Sequence, residues 1–343
     1  MTKTLDDRPI IALAMGDPAG ISAELTAKLV ASDDVRQAAH LIVIGDRRVF
    51  DEGARIADLN PDIEQAALGT IPSTRSPKPI FIDLANLDPA DIIVGEANLV
   101  GGQYATENFA FALRLANEGR ADAVCFTPFN KKAMRFAYSG YDDEIRFISE
   151  IIGFTGKARE FNVLENIWNA RVTSHIPLAA VSSHLSQDAI LAELELTFEC
   201  LKRAGIASPK IAVAGLNPHA GDGGSFGSEE IEIISPAVDE AIRRGWDVSG
   251  PYPADTVFLS ALKAGMHAVL TMYHDQGQIA MKMMGFDRGV TMLGGLPFPV
   301  CTPAHGTAYD IAGKGVANPR ASREALLLAA RMSRHGKTSI SAH

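Results

Sequence analysis

The feature that most constrains this chain is a repeated unit of three parts. A short continuous apolar run is followed by a loop rich in Gly, Pro and Asn, and then by a segment with helical spacing. Pro9 to Met15 (PIIALAM) is the first such run, with the GDPAG loop (Gly16 to Gly20) after it and a helix predicted from Ile21 to Ala31. His40 to Ile44, Ala121 to Phe126, Lys210 to Gly215 and His267 to Met272 are further runs of the same kind. A strand that is apolar along its whole length is covered on both faces, the condition of a mostly parallel sheet between helices. The expected fold class is therefore α/β. The 343 residues suffice for two domains, and a late helix over Ser322 to Ser333 is expected to pack back on the first.

Composition narrows the function. Hydrophobic residues make up 47% and charged residues 21%, an ordinary globular balance. No charge-free apolar run reaches the roughly 18 residues of a membrane span, and the N-terminus lacks the apolar core of an export signal. The three cysteines, Cys125, Cys200 and Cys301, are too scattered for a disulfide framework or a thiolate metal site. These readings point to the cytoplasm. The net charge of −9, without a basic block, excludes the footprint of a nucleic-acid binder and leaves small molecules as the expected partners.

In open α/β sheets, ligands gather beyond the carboxyl ends of the strands, which gives weight to three histidines. His175 lies in VTSHIPL, His219 in GLNPHAGDGG after one apolar run, and His274 in MYHDQG after another. Their separations fit no compact zinc-finger spacing. Neutral imidazoles bind divalent metals, and three protein ligands with an open position suit a catalytic metal site. Asp275 and Asp255 could orient the rings or complete the shell. His40, His184, His267, His335 and His343 read as ordinary surface or interior residues. GDPAG opens a helix, whose first N–H groups favour anions, yet it lacks the usual dinucleotide fingerprint. GDGGSFG precedes Ser228-Glu229-Glu230, which reads as a helix start with acidic first-turn residues.

MGDPAGIS, TPFNK, TSHIPL, GLNPHAGDGG, YPADT, YHDQG, GFDRGV, GLPF and HGTAYDIAGKG occur in one order between Met15 and Gly315. Together they resemble the 4-hydroxythreonine-4-phosphate dehydrogenase family. That resemblance implies two α/β/α domains with a cleft between them, akin to isocitrate and isopropylmalate dehydrogenases, with residues 1–135 plus 304–343 on the cofactor side and 136–303 holding metal, substrate and dimer contacts. It implies a homodimer whose site is shared across the interface, and a divalent metal on His175, His219 and His274; a three-histidine site favours zinc, with magnesium, manganese, cobalt and nickel open. It also implies NAD, with NADP open, beside Gly221, Gly224, His305, Thr307, Asp310 and Gly313. Lys282, Asp255 and Asn217 are the expected catalytic positions.

The chain departs from the family pattern where phosphate is handled. A His-Thr pair after a glycine is replaced within Tyr138-Ser139-Gly140-Tyr141-Asp142-Asp143-Glu144, and positions that carry Asn and Arg hold Thr291 and Val300. Acidic side chains repel a phosphate, and valine cannot form arginine's paired hydrogen bonds. Tyr141, Asp142, Arg288, Thr291 and Val300 are accordingly read as substrate contacts, with Met292 and Pro299 as apolar lining and Arg146 as a second candidate cation. The expected reaction is metal- and NAD-dependent oxidative decarboxylation of an unphosphorylated cyclic cis-dihydrodiol carboxylate, as in the similar terephthalate 1,2-cis-dihydrodiol dehydrogenase. The alternatives are oxidation of 4-hydroxythreonine 4-phosphate or a four-carbon acid phosphate, and a metal-dependent hydrolase.

Overall fold

A computed structural model describes residues 7–66, 76 and 78–340, with side chains as far as His335; His343 lies outside them. The strands are β1 (Ile10–Ala14), β2 (His40–Gly45), β3 (Glu64–Ala66), β4 (Ile80–Asp83), β5 (Ala123–Phe126), β6 (Arg159–Leu164), β7 (Ile167–Arg171), β8 (Lys210–Ala214), β9 (Asp247–Tyr252), β10 (Ala268–Thr271), β11 (Val290–Gly294) and β12 (Val300–Pro303). The chain divides into two compact units, 1–159 with 290–343, and 160–289.

In the first unit the strands lie in the order β3-β4-β2-β1-β5-β12-β11. Neighbours are parallel except β11 and β12. β1, β2 and β5 are buried along almost their whole length, as their unbroken apolar sequences require. The helix predicted over Ile21 to Ala31 is Ser22–Ala31. The late helix, Arg320–Ile340, packs on β12 and β5 and buries Ala325 and Leu328, as expected.

This unit is larger than the sequence implied. Residues 136–159 and 290–303 belong to it and not to the second unit. β12 pairs with β5 through Val300↔Val124 and Cys301↔Cys125, and the helix Glu144–Ile152 packs on the helix Leu99–Asn117. Phe109 and Phe147 stack with ring centroids 5.5 Å apart. Aromatic burial of this kind fixes the segment to the first core.

The second unit has the order β6-β7-β10-β8-β9, with β6 and β7 an antiparallel pair and the others parallel. β8 and β10 match the apolar runs read from the sequence. β9 lies at the outer end of the order and carries Gly250 and Pro251, residues tolerated at a sheet edge. Among the described residues no helix is long and apolar enough to cross a membrane.

Candidate functional site

The loops beyond the carboxyl ends of β7, β8 and β10 carry His175, His219 and His274 in turn. His274 is the first residue of the helix His274–Gly285. Its Nδ1 lies 2.7 Å from Asp275 Oδ1. A proton on Nδ1 would make this a hydrogen bond to the carboxylate and turn the Nε2 lone pair outward, the carboxylate–histidine arrangement of metal ligands. His175 lies beside it, with ring centroids 5.6 Å apart. Both line a cavity of about 250 Å³ with Thr173, Ser174, Tyr273 and Asp275. Among the described residues no group of three His, Cys, Asp or Glu side chains converges on one point, so a single chain brings together two of the three motif histidines.

Backbone strain marks the same loops. His175 and His219 both have φ +54°, in the left-handed region that side chains disfavour. Such conformations persist where surroundings enforce them and cluster at functional sites. Polar contacts brace both loops. Arg171, at the end of β7, is 4% exposed. Its guanidinium donates to Ser174 Oγ at 2.9 Å and Asn162 Oδ1 at 2.6 Å, and pairs with Glu160 at 3.0 Å. Gln278 donates to the same Asn162 oxygen. Gln276 accepts from Met272 N and donates to the Gly215 carbonyl, tying the start of the His274 helix to the end of β8. The sequence reading missed Arg171, Asn162 and Gln276. A charged residue four positions before His175, in a strand meant for burial, was the available signal.

The other expected positions divide sharply. Lys282 and Asp255 are exposed. Asn217 directs its carboxamide N–H groups to Glu229 at 2.7 Å and to Glu230 at 3.0 Å. Gly221 is buried at φ +82°, where a Cβ would meet Glu230 Oε2 at 2.7 Å, whereas Gly224 is exposed. Both belong to the second unit; His305, Thr307, Asp310 and Gly313 belong to the first. Thr307 is buried and its carbonyl accepts from Ile21 N. His305 is half-buried with Nδ1 3.0 Å from the Gly306 carbonyl, and Asp310 and Gly313 are exposed.

The substrate positions need correction. Val300 and Met292 are fully buried in the first unit, and Tyr141 is 1% exposed with its ring 5.7 Å from Phe147. Burial raises the Tyr141 hydroxyl pKa far above its ordinary value. These side chains are thus packed inside the first unit and not exposed on its surface. Pro299 is buried too. Asp142 and Arg146 pair with each other at 2.5 Å, and Arg146 also holds Glu150. Arg288 donates to the Met284 carbonyl, and Thr291 sits opposite Thr302 in the β11–β12 ladder.

GDPAG proves to be an internal tie and not an open anion site. Asp17, 1% exposed, accepts from Ala19 N at 2.9 Å and from the Tyr309 hydroxyl at 2.5 Å. Burial raises its pKa above the usual carboxylate range, although both hydrogen bonds pull it down. A carboxyl whose pKa is raised on folding adds stability below its unfolded pKa and loses it as pH climbs through the folded one. Melting curves from mildly acid to neutral pH should therefore show the wild type losing ground to Asp17→Asn as pH rises above the ordinary carboxylate range. A difference independent of pH would contradict this.

Comparison with known proteins follows the same outline. A family model described as pyridoxal phosphate biosynthetic protein PdxA matches residues 37–329. A Rhizobium meliloti protein provisionally named 4-hydroxythreonine-4-phosphate dehydrogenase 2 is 69% identical over 331 residues, 96% of this chain and 95% of that protein. An Oceanobacillus iheyensis protein provisionally named D-threonate 4-phosphate dehydrogenase is 36% identical, over 94% and 97%. The crystal structure of 4-hydroxythreonine-4-phosphate dehydrogenase from Klebsiella pneumoniae superposes with TM-score 0.80 at 34% identity, over 95% and 98%. Terephthalate 1,2-cis-dihydrodiol dehydrogenase from Burkholderia xenovorans is more distant, with TM-score 0.63 at 27% identity, over 92% and 98%.

Proposed function

The chain belongs to the PdxA family, and from that premise we propose that it oxidises a small phosphorylated hydroxy acid with NAD and a divalent metal. The substrate class is 4-hydroxythreonine 4-phosphate or a four-carbon acid phosphate such as D-threonate 4-phosphate. The observation that carries the reading is the pair His175 and His274 in one cavity, with Asp275 holding the second ring. The terephthalate-type substrate expected from the sequence is set aside. Its enzyme is the more distant relative, and the positions that suggested it, Val300 and Tyr141, are buried.

The donor set fits a divalent metal. His274 offers Nε2, His175 lies beside it, and His219 stands at the tip of its own exposed loop. We assign the third ligand to a second copy of the chain, in a homodimer with shared sites. Ile279, Met283 and Phe286 support this: they are 61%, 85% and 58% exposed and spaced to share one face of the His274 helix and its following turn. A bound metal supplies Lewis-acid polarisation of the substrate hydroxyl.

The chain's own residues orient and confine. Asp275 fixes the tautomer of His274, while Arg171 and Gln276 keep both histidine loops in register before any ligand arrives. Lys282 lies about 12 Å along the helix axis from His274, and its side chain leans back toward the helix N-terminus. We assign it to the substrate's anionic end. In both named substrates the reacting hydroxyl lies β to the carboxylate, so loss of hydride and a proton yields a β-keto acid that can lose carbon dioxide.

NADH formation with 4-hydroxythreonine 4-phosphate, D-threonate 4-phosphate and terephthalate cis-dihydrodiol side by side tests the assignment. Turnover is expected with a phosphate ester and not with the diol. Turnover of the diol alone would overturn the proposed substrate class.

A further inference from the structure

Among the described residues, the loop that carries His219 holds the longest run of left-handed backbone. His219, Ala220, Gly221, Asp222 and Gly223 all have positive φ, between 43° and 82°. Only two of these five are glycine, so the rest hold a conformation that an L-side chain disfavours. Little apolar burial supports it, since His219, Asp222 and Gly223 are exposed. The fastening lies underneath.

Glu230 is 3% exposed. Its Oε1 accepts from Leu216 N and from Asn217 N, each at 2.7 Å, and its Oε2 accepts from the Asn217 carboxamide at 3.0 Å. Gly221 passes so close that a Cβ there would lie 2.7 Å from Oε2. Glu229 adds a second grip. Its Oε2 accepts from Asn217 Nδ2, and its Oε1 accepts from the Ser182 hydroxyl at 2.6 Å. The local helix is π over Glu230–Ile234 before it becomes α at Ser235. Local π geometry of this kind is rare and often marks functional sites.

We infer that Glu230 is the positioning residue of His219: its buried carboxylate fixes Leu216 and Asn217 and thereby holds the left-handed run at the angle that presents the imidazole to the metal. The inference rests on the proposed reading that His219 is a metal ligand. It assigns Asn217 to the same device, as the link between both glutamates and the loop.

The test is Co²⁺ binding to the purified full-length protein, followed by visible absorption, with melting temperature measured in parallel. His219→Ala comes first, because Co²⁺ affinity unaffected by it would sink the metal reading itself. With His219 shown to matter, Glu230→Ala should weaken Co²⁺ by about tenfold or more, the usual range for partners that orient a ligand. Glu230→Gln keeps an acceptor oxygen for the two backbone N–H groups and should recover part of the loss; it also serves if the alanine variant does not fold. Val238→Ala, a buried change on the neighbouring helix Ser235–Arg243, supplies a loss of stability without touching the loop and should leave Co²⁺ affinity unchanged. Wild-type affinity in Glu230→Gln and Glu230→Ala, or an equal weakening in Val238→Ala, overturns the inference.

Discussion

Replacing His274 by alanine is expected to abolish NADH formation while leaving the protein folded. The ring is 35% exposed and its hydrogen bond is to Asp275, itself 70% exposed, so the stability change should stay within about 0.5 kcal/mol. Activity has no such cushion. Metal polarisation of the reacting oxygen contributes several kcal/mol to the transition state. A loss of about 4 kcal/mol is roughly a thousandfold in kcat/KM. Metal content by elemental analysis, melting temperature and turnover, measured on one preparation, separate the cases. Metal and activity should vanish together with the melting point kept. Full metal content with full turnover would remove His274 from the site.

The contrast with Asp275→Asn sharpens that expectation. The asparagine carboxamide can still accept from His274 Nδ1, but without the negative charge that strengthens the ring as a ligand. Metal affinity should fall by about tenfold to a hundredfold, an intermediate result that excess metal partly restores. His274→Ala should not respond to added metal.

How far the sequence foretold this arrangement depends on which physical signal each residue carries. Continuous apolar runs at Pro9–Met15, Ala121–Phe126 and His267–Met272 became buried parallel strands, because such runs have few other stable placements. β7 was missed. Its IWNAR sequence buries Asn169 and Arg171, and a polar residue in a buried strand is legible only once its partners are known. Glu229 and Glu230 were read as acidic residues of a helix's first turn. The π geometry that turns Glu230 inward under the His219 loop has no signature in spacing. Asn217 was placed in the chemistry because it sits in a motif, yet adjacency to a ligand does not distinguish a group facing the substrate from one fastening the loop. Val300, at a position matched to a phosphate-binding arginine, lies on β12 and is fully buried, a placement that its motif context does not announce.

Gly277→Ala is the substitution for which local propensity and tertiary packing disagree most. On an exposed helix the change adds about 1 kcal/mol of stability, since glycine loses more backbone entropy than alanine. Here Gly277 is buried on the first turn of the His274 helix, against β7. A Cβ would lie 1.9 Å from Asn169 Oδ1 and 2.4 Å from its Cγ. Asn169 cannot swing away, because its Nδ2 donates to the Ala170 and Val269 carbonyls and to Thr271 Oγ1. Either the helix moves off the sheet or Asn169 abandons those bonds inside the core. Overpacking costs about 1–3 kcal/mol or more, and a buried donor left unpaired costs about 1–3 kcal/mol again. Packing therefore outweighs propensity, and a net destabilisation of about 3 kcal/mol is expected in urea or thermal unfolding. Because the displaced segment starts at His274, turnover should fall even at temperatures where the variant stays folded. Pairing the change with Asn169→Ala opens the space that the new methyl needs, so part of both losses should return. A Gly277→Ala protein as stable and as active as the wild type would mean that this helix does not lie as close to β7 as described.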